Sequence, residues 1–172
     1  MKIVIVLNGV SRKKKLFYSS ILPALQKAHK VIVLETRRAG HAKQLAADHA
    51  SYSNAILAAG GDGTLHEVLN GISATPYRPA LGVIPLGSGN DFARTCKIKL
   101  QPNYLLQLLA QPPQLTDVGH IVCRDDNNKD KEEYFMNVCS AGMGPSTVNK
   151  MVSMPHWLGA SGRYLGAILH TF

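Results

Sequence analysis

The stretch Ala55-Ile56-Leu57-Ala58-Ala59-Gly60-Gly61-Asp62-Gly63-Thr64-Leu65-His66-Glu67-Val68-Leu69-Asn70-Gly71 decides how the rest of the chain is read. It opens with a short unbroken apolar run, the mark of a strand buried on both faces. It then passes through glycines set around one carboxylate and closes with apolar residues at helical spacing. A strand, a glycine loop and a helix in that order form one unit of a parallel α/β sheet. The unit recurs along the chain. Ile3 to Leu7, Val31 to Leu34 and Ala80 to Ile84 predict further buried strands, while Leu16 to Ala28, His41 to Ser51 and Leu65 to Ile72 predict the intervening helices. The expected fold class is α/β, with an open, mostly parallel, Rossmann-like sheet.

In open parallel sheets, ligands collect at the carboxyl ends of the strands, where helix N-termini point unpaired N–H groups at anions. The unusual residues fall there. Asn8-Gly9 follows the first strand, Thr36 to Gly40 the second, Gly60 to Thr64 the third and Pro85 to Asp91 the fourth. Glycines at 60, 61 and 63 allow positive φ and a close backbone approach, so the loop can wrap a polyphosphate. Thr64 is placed to cap the following helix or to offer its hydroxyl to a phosphate. Asp62 would repel phosphates unless a metal ion or ordered water lies between, which points to a magnesium nucleotide. A second reading is a tight Gly-Asp-Gly turn with Thr64 and Glu67 as a capping box. In Pro85-Leu86-Gly87-Ser88-Gly89-Asn90-Asp91-Phe92-Ala93-Arg94, Gly87 and Gly89 free the backbone while Ser88, Asn90 and Asp91 supply polar groups. A plain loop with Asn90 or Asp91 as N-cap reads the same way. Neither loop is a Walker A sequence or a dinucleotide G-x-G-x-x-G.

These two loops, with His66-Glu67-Val68 and Asn70-Gly71 between them, resemble the catalytic domain of the diacylglycerol kinase family, which includes bacterial lipid kinases and sphingosine kinases. Gly40-His41-Ala42 after Thr36 looks like the family's second-strand signature. Asp117 with Asn137 to Gly144 looks like its entry into a second domain. The resemblance implies a sheet of the NAD kinase and phosphofructokinase type, followed by the start of a β-sandwich. It also implies phosphoryl transfer from ATP, with Mg2+, to a lipid hydroxyl of the diacylglycerol type at a membrane surface, a place in lipid metabolism. Carried over by position, Asn8, Thr36, Gly60, Gly61, Asp62, Gly63, Thr64, Glu67, Ser88, Gly89, Asn90 and Asp91 would contact the nucleotide. Gly9-Val10-Ser11 departs from the family's Asn-Pro sequence. His66 stands where the family varies between Asn and His and takes no catalytic role. Asp62 would support catalysis, whereas the acidic metal site and carboxylate base of the family lie well downstream. The expectation is nucleotide binding with little turnover by these 172 residues.

Composition sets the outer bounds. A chain of 172 residues, 45% hydrophobic and 17% charged, is an ordinary globular protein with one well-buried domain and a remainder. A nucleotide-binding domain at 1–112 and an incomplete β-rich domain at 113–172 are expected, with the boundary near Gln111-Pro112-Pro113. Leu115 to Arg124 and Glu133 to Val138 predict a hairpin around Asp125-Asp126-Asn127-Asn128. Ser140 to Phe172 shows no clear pattern. The apolar stretch Trp157 to Phe172 can pair with another chain, so a homodimer is compatible with it.

Cys96, Cys123 and Cys139 are odd in number and widely spaced, which reads as reduced thiols in a cytoplasmic protein. The apolar run at Ile3 to Leu7 is too short for a signal-peptide core. A net charge of +8 favours polyanions, including anionic membrane surfaces, and the Arg12-Lys13-Lys14-Lys15 run reads as a solvated helix face. Nucleic acid is not expected as a partner, because no recognition motif accompanies the charge. A non-catalytic nucleotide- or membrane-surface-binding module and an NAD-kinase-like enzyme remain the alternatives.

Overall fold

In the computed structural model, residues 1–124 and 128–139 are described, together with 150, 153, 155 and 165–167. The chain divides into two compact units, Met1–Asn137 and Val138–Phe172. All the elements discussed below belong to the first. Expectations for Asp125 to Asn127, Ser140 to Gly144 and most of Trp157 to Phe172 lie outside the described residues.

Strands β1 (Lys2–Leu7), β2 (Lys30–Glu35), β3 (Ala55–Gly60) and β4 (Ala80–Pro85) form one parallel sheet in the order β2-β1-β3-β4. The chain steps outward from β1 to β2 and then crosses back past β1 to β3. With right-handed crossovers, that reversal sends the helices after β1 to one face of the sheet and those after β2 and β3 to the other. The alternation of side chains shows it. Ile3, Ile5 and Leu7 pack with Phe17, Ile21, Leu25 and Leu105, whereas Val4 and Val6 pack with Ala42, Ala46, Leu65, Val68 and Ile72. Both faces are covered, which is why β1 reads as continuously apolar.

The first face carries α1 (Lys14–Leu16), a π-helical turn (Phe17–Ile21) and α2 (Leu22–Ala28). The single helix expected over Leu16 to Ala28 widens here for a local reason. Pro23 has no N–H and its ring crowds the carbonyl four residues back, and just before it the Leu22 N–H reaches five residues back to the Phe17 carbonyl. The second face carries α3 (His41–His49) and α4 (Asp62–Ser73). A Cβ on Gly71 would stand 2.2 Å from the Lys43 carbonyl oxygen, so glycine there permits the close crossing of α4 on α3.

Two short helices complete the unit: α5 (Asp91–Thr95) and α6 (Pro102–Ala110), which the strand–loop–helix alternation does not predict. Pro102 opens α6, and Leu105 is buried against the first face. The expected hairpin is present as antiparallel β5 (Gly119–Arg124) and β6 (Asp130–Phe135), shorter at one end and shifted at the other. Leu115 and Val138 stand exposed beyond the paired strands.

Candidate nucleotide-binding site

The four loops at the carboxyl edge of the sheet lie side by side because the parallel strands deliver them there. The point where strand order reverses falls between β1 and β3, and the Asn8 N–H donates to the Ala59 carbonyl across it at 2.9 Å. Around this point the loops hold one another. The Gly9 N–H donates to Thr36 Oγ1 at 3.1 Å, and the Asn8 Oδ1 accepts from the Val10 N–H at 3.1 Å. The Ser11 hydroxyl donates to the Leu86 carbonyl at 2.8 Å, tying the first loop to the fourth. The Gly60 carbonyl accepts from the Leu86 N–H at 3.0 Å.

The third and fourth loops meet through glycine. A Cβ on Gly87 would stand 2.4 Å from the Gly61 Cα, and one on Gly61 would stand 3.3 Å from the Gly87 Cα. The two loops therefore require each other's missing side chains. Gly63 differs, because a Cβ there would meet nothing within 4 Å. None of the glycines at 60, 61, 63, 87 or 89 has positive φ, so close approach rather than an unusual backbone accounts for Gly60, Gly61 and Gly87, and neither accounts for Gly63.

The side chains of α4 explain the carboxylates. The N-cap of α4 is Gly61, with no side-chain capping bond, and Thr64 is the third helical residue and buried. Thr64 thus does not cap the helix, and the capping box with Glu67 does not form. Glu67 instead reaches across to α3 and accepts the N–H groups of Gly40 at 2.9 Å and Ala42 at 3.0 Å, capping that helix. Asp62 does the same for α5, accepting from the N–H groups of Asp91 and Phe92, each at 3.0 Å, and from the Asn137 amide at 3.0 Å. Burial works against ionisation of Asp62. The N–H groups of Phe92 and Asp91 and the Asn137 amide outweigh it and hold the carboxyl below the usual carboxylate range.

Asn90 occupies the N-cap position of α5 in a left-handed conformation that Asn tolerates, but its side chain does not cap. It bridges the N–H and carbonyl of Gly87 at 2.9 and 2.8 Å. Asp91 is exposed and pairs with Arg94 at 3.4 Å, whose guanidinium also donates to the Gly89 carbonyl. Ser88 is exposed in the same loop. Among the described residues no group of three His, Cys, Asp or Glu side chains converges on a metal position.

Two residues that the sequence named only as members of the motifs prove to hold the loops and hairpin in place. Asn70 is a buried polar residue within the apolar run Val68 to Ile72. Its amide donates to the Tyr134 carbonyl and accepts the Tyr134 N–H, both at 2.9 Å, so it pairs with β6 as a neighbouring strand would. Asn137, two residues past β6, supplies the amide on Asp62. One helix thus sets α3, α5 and the hairpin through three polar side chains.

A family model for the diacylglycerol kinase catalytic domain matches residues 2–121, which include all four loops. The chain belongs to this family. A probable lipid kinase of Chromohalobacter salexigens, described as YegS-like, is 32% identical to this kinase-family chain over 149 residues, covering 84% of it and 45% of the relative. A diacylglycerol kinase of Staphylococcus aureus is 38% identical over 144 residues, covering 80% of the chain and 42% of the relative. The chain therefore spans less than half the length of these relatives. A crystal structure of a diacylglycerol kinase from Bacillus anthracis matches with a TM-score of 0.61 and 26% identity, covering 79% of the chain and 48% of the solved one. These matches bear out the resemblance and the α/β fold class, and the four-stranded parallel sheet is followed by an antiparallel pair as expected.

Proposed function

We propose that this chain is the nucleotide-holding part of an ATP-dependent lipid kinase that transfers the γ-phosphoryl group to the hydroxyl of a diacylglycerol-like lipid. One observation carries the reading: Gly63. It is exposed in the first turn of α4, where alanine would suit the helix better and the fold leaves room for a Cβ. A polyphosphate over that turn gives the glycine a use, since the N–H groups there precede the first helical bond, from Leu65 to Gly61. Thr36, Asn8 and Ser88 stand on the neighbouring loops at the same edge.

Magnesium of the kind that accompanies a nucleotide is held mainly by phosphates and water, with one or two carboxylates. The residues fit such an ion: Asp62 carries an ionised carboxylate at the third loop, and the exposed Asp91, paired with Arg94, follows the fourth. When bound, the ion would offset phosphate charge. The chain's own contribution is to fix the loops, through Asp62, Glu67 and the Gly61–Gly87 contact, so that the N–H groups at α4 are aimed before a ligand arrives.

The hairpin β5–β6 opens the β-rich part of the protein that approaches the lipid. The general base is supplied beyond the matched region, and these 172 residues bind nucleotide with little turnover. A cytoplasmic kinase working at the membrane surface fits this reading. No helix among the described residues is long and apolar enough to cross a membrane.

The test is a calorimetric titration with ATP and magnesium beside Gly63→Trp, followed by an ATP-turnover assay with added diacylglycerol. Binding by the parent and not by the variant supports the reading. Equal binding by both places the nucleotide elsewhere and overturns it.

A further inference from the structure

The basic run Arg12 to Lys15 reads from sequence as a solvated helix face, yet two of its members reach other elements, Lys14 the end of β2 and Lys13 the fourth loop. Lys14 Nζ lies 2.6 Å from Glu35 Oε2 and 3.4 Å from the Gly9 carbonyl, so its charge is matched by a carboxylate. Arg12, Lys13 and Lys15 are exposed. Lys13 Nζ lies 3.5 Å from the Gly87 carbonyl oxygen, and among the described residues it has no carboxylate partner. From these contacts we infer that Lys13 is a phosphate-binding residue of the nucleotide site, and the inference rests on the nucleotide reading above.

The direction of Lys13 is set by its neighbour. Ser11 Oγ accepts the Lys13 N–H at 3.2 Å while donating to the Leu86 carbonyl at 2.8 Å, which aims residue 13 from the first loop toward the fourth. The Gly87 carbonyl that receives the ammonium belongs to the residue packed against Gly61, the N-cap of α4. An exposed positive charge with no carboxylate partner among the described residues therefore lies beside the Gly61–Gly87 loop pair, two residues before Gly63 in the chain. An ammonium has three donors, and one carbonyl uses one of them. The remaining two suit a polyphosphate, which the helix N–H groups alone would bind without a full compensating charge. Arg94, a second cation near this loop among the described residues, is already paired with Asp91 and the Gly89 carbonyl.

The experiment compares ATP, ADP and adenosine binding to the 172-residue chain with Lys13→Ala, Lys13→Arg, Ser11→Ala and Lys15→Ala variants, each checked for a native circular dichroism spectrum. Lys13→Ala should weaken ATP and ADP by about tenfold, leave adenosine within about twofold, and flatten the dependence on salt. Lys13→Arg should recover most of the loss, and Lys15→Ala should match the parent. Unchanged ATP affinity in Lys13→Ala, in a chain whose binding Gly63→Trp abolishes, overturns the inference and leaves the nucleotide reading standing. Equal losses for adenosine and ATP, reproduced by Ser11→Ala, also overturn it, because they show that residue 13 only shapes the loop. A parent that binds no ATP overturns both.

Discussion

Replacing Gly63 by alanine separates what the fold requires from what a ligand requires. A Cβ at this position meets nothing within 4 Å, and the residue lies in the first turn of α4 without positive φ. Glycine costs a helix about 0.5–1 kcal/mol relative to alanine, and the lower figure, about 0.5 kcal/mol, suits a first turn. Gly63→Ala should therefore raise the melting temperature by roughly 1–2 °C for a unit of this size. The same methyl group stands where phosphate oxygens would approach the N–H groups, so ATP affinity should fall by about tenfold or more. Gly87→Ala provides the contrast. Its Cβ would lie 2.4 Å from the Gly61 Cα and 2.8 Å from the Gly61 nitrogen, both backbone atoms, so stability should fall by about 1–3 kcal/mol. Urea denaturation and calorimetric ATP titration on both variants give the two readouts. A stabilised Gly63→Ala that binds ATP as tightly as the parent would refute the ligand-facing role, and a destabilised one would refute the packing argument.

Glu67→Ala leaves the Gly40 and Ala42 N–H groups at the start of α3 without their acceptor and should cost about 1–2 kcal/mol in urea denaturation, with Glu67→Gln losing less. Asp62 has a native pKa held below its ordinary value, so the stability it contributes is full above that ordinary value and is lost as the pH falls through the lowered one. Asp62→Asn should lower stability at neutral pH and decline less steeply than the parent in acid, which urea melts between pH 2 and 7, roughly the span of carboxylate titration, will show. Asn70→Ala should leave the parallel sheet intact while the Tyr134 amide loses protection in hydrogen exchange, because both of its backbone groups lose their partner.

The sheet was legible because each strand carries its own evidence. Ile3 to Leu7 is apolar at every position since both faces are covered, and the loops follow from where the strands end. The helix α6 carries a clear signal in Pro102 and the leucines after it, but it stands outside the repeating unit from which the fold was argued. The capping box of Thr64 with Glu67 fails, and the partners of Asp62 stay hidden, for a different reason. Local capping rules look three residues along the chain, whereas Glu67 caps a helix that starts 26 positions earlier and Asp62 one that starts 29 positions later. Sequence showed that these residues sit beside the loops. Only the packing of α4 between α3 and α5 showed what they hold. The basic run was ambiguous in the same way, since Lys13 and Lys14 are adjacent in sequence and diverge only through partners at Gly87 and Glu35.

Asn70 is followed by Gly71, and Asn-Gly is the pair of residues most open to spontaneous loss of the side-chain amide in a mobile chain. Here the step lies within α4, and Asn70 is buried. The helix keeps the backbone nitrogen of Gly71 from turning onto the side-chain carbonyl, so the folded protein guards the amide chemically. A chain that ages while unfolded loses that guard. It would carry a carboxylate where the amide donates to the Tyr134 carbonyl, setting oxygen against oxygen on refolding. The amide that fastens the hairpin to the sheet domain is thus also a record of how long the chain has spent unfolded.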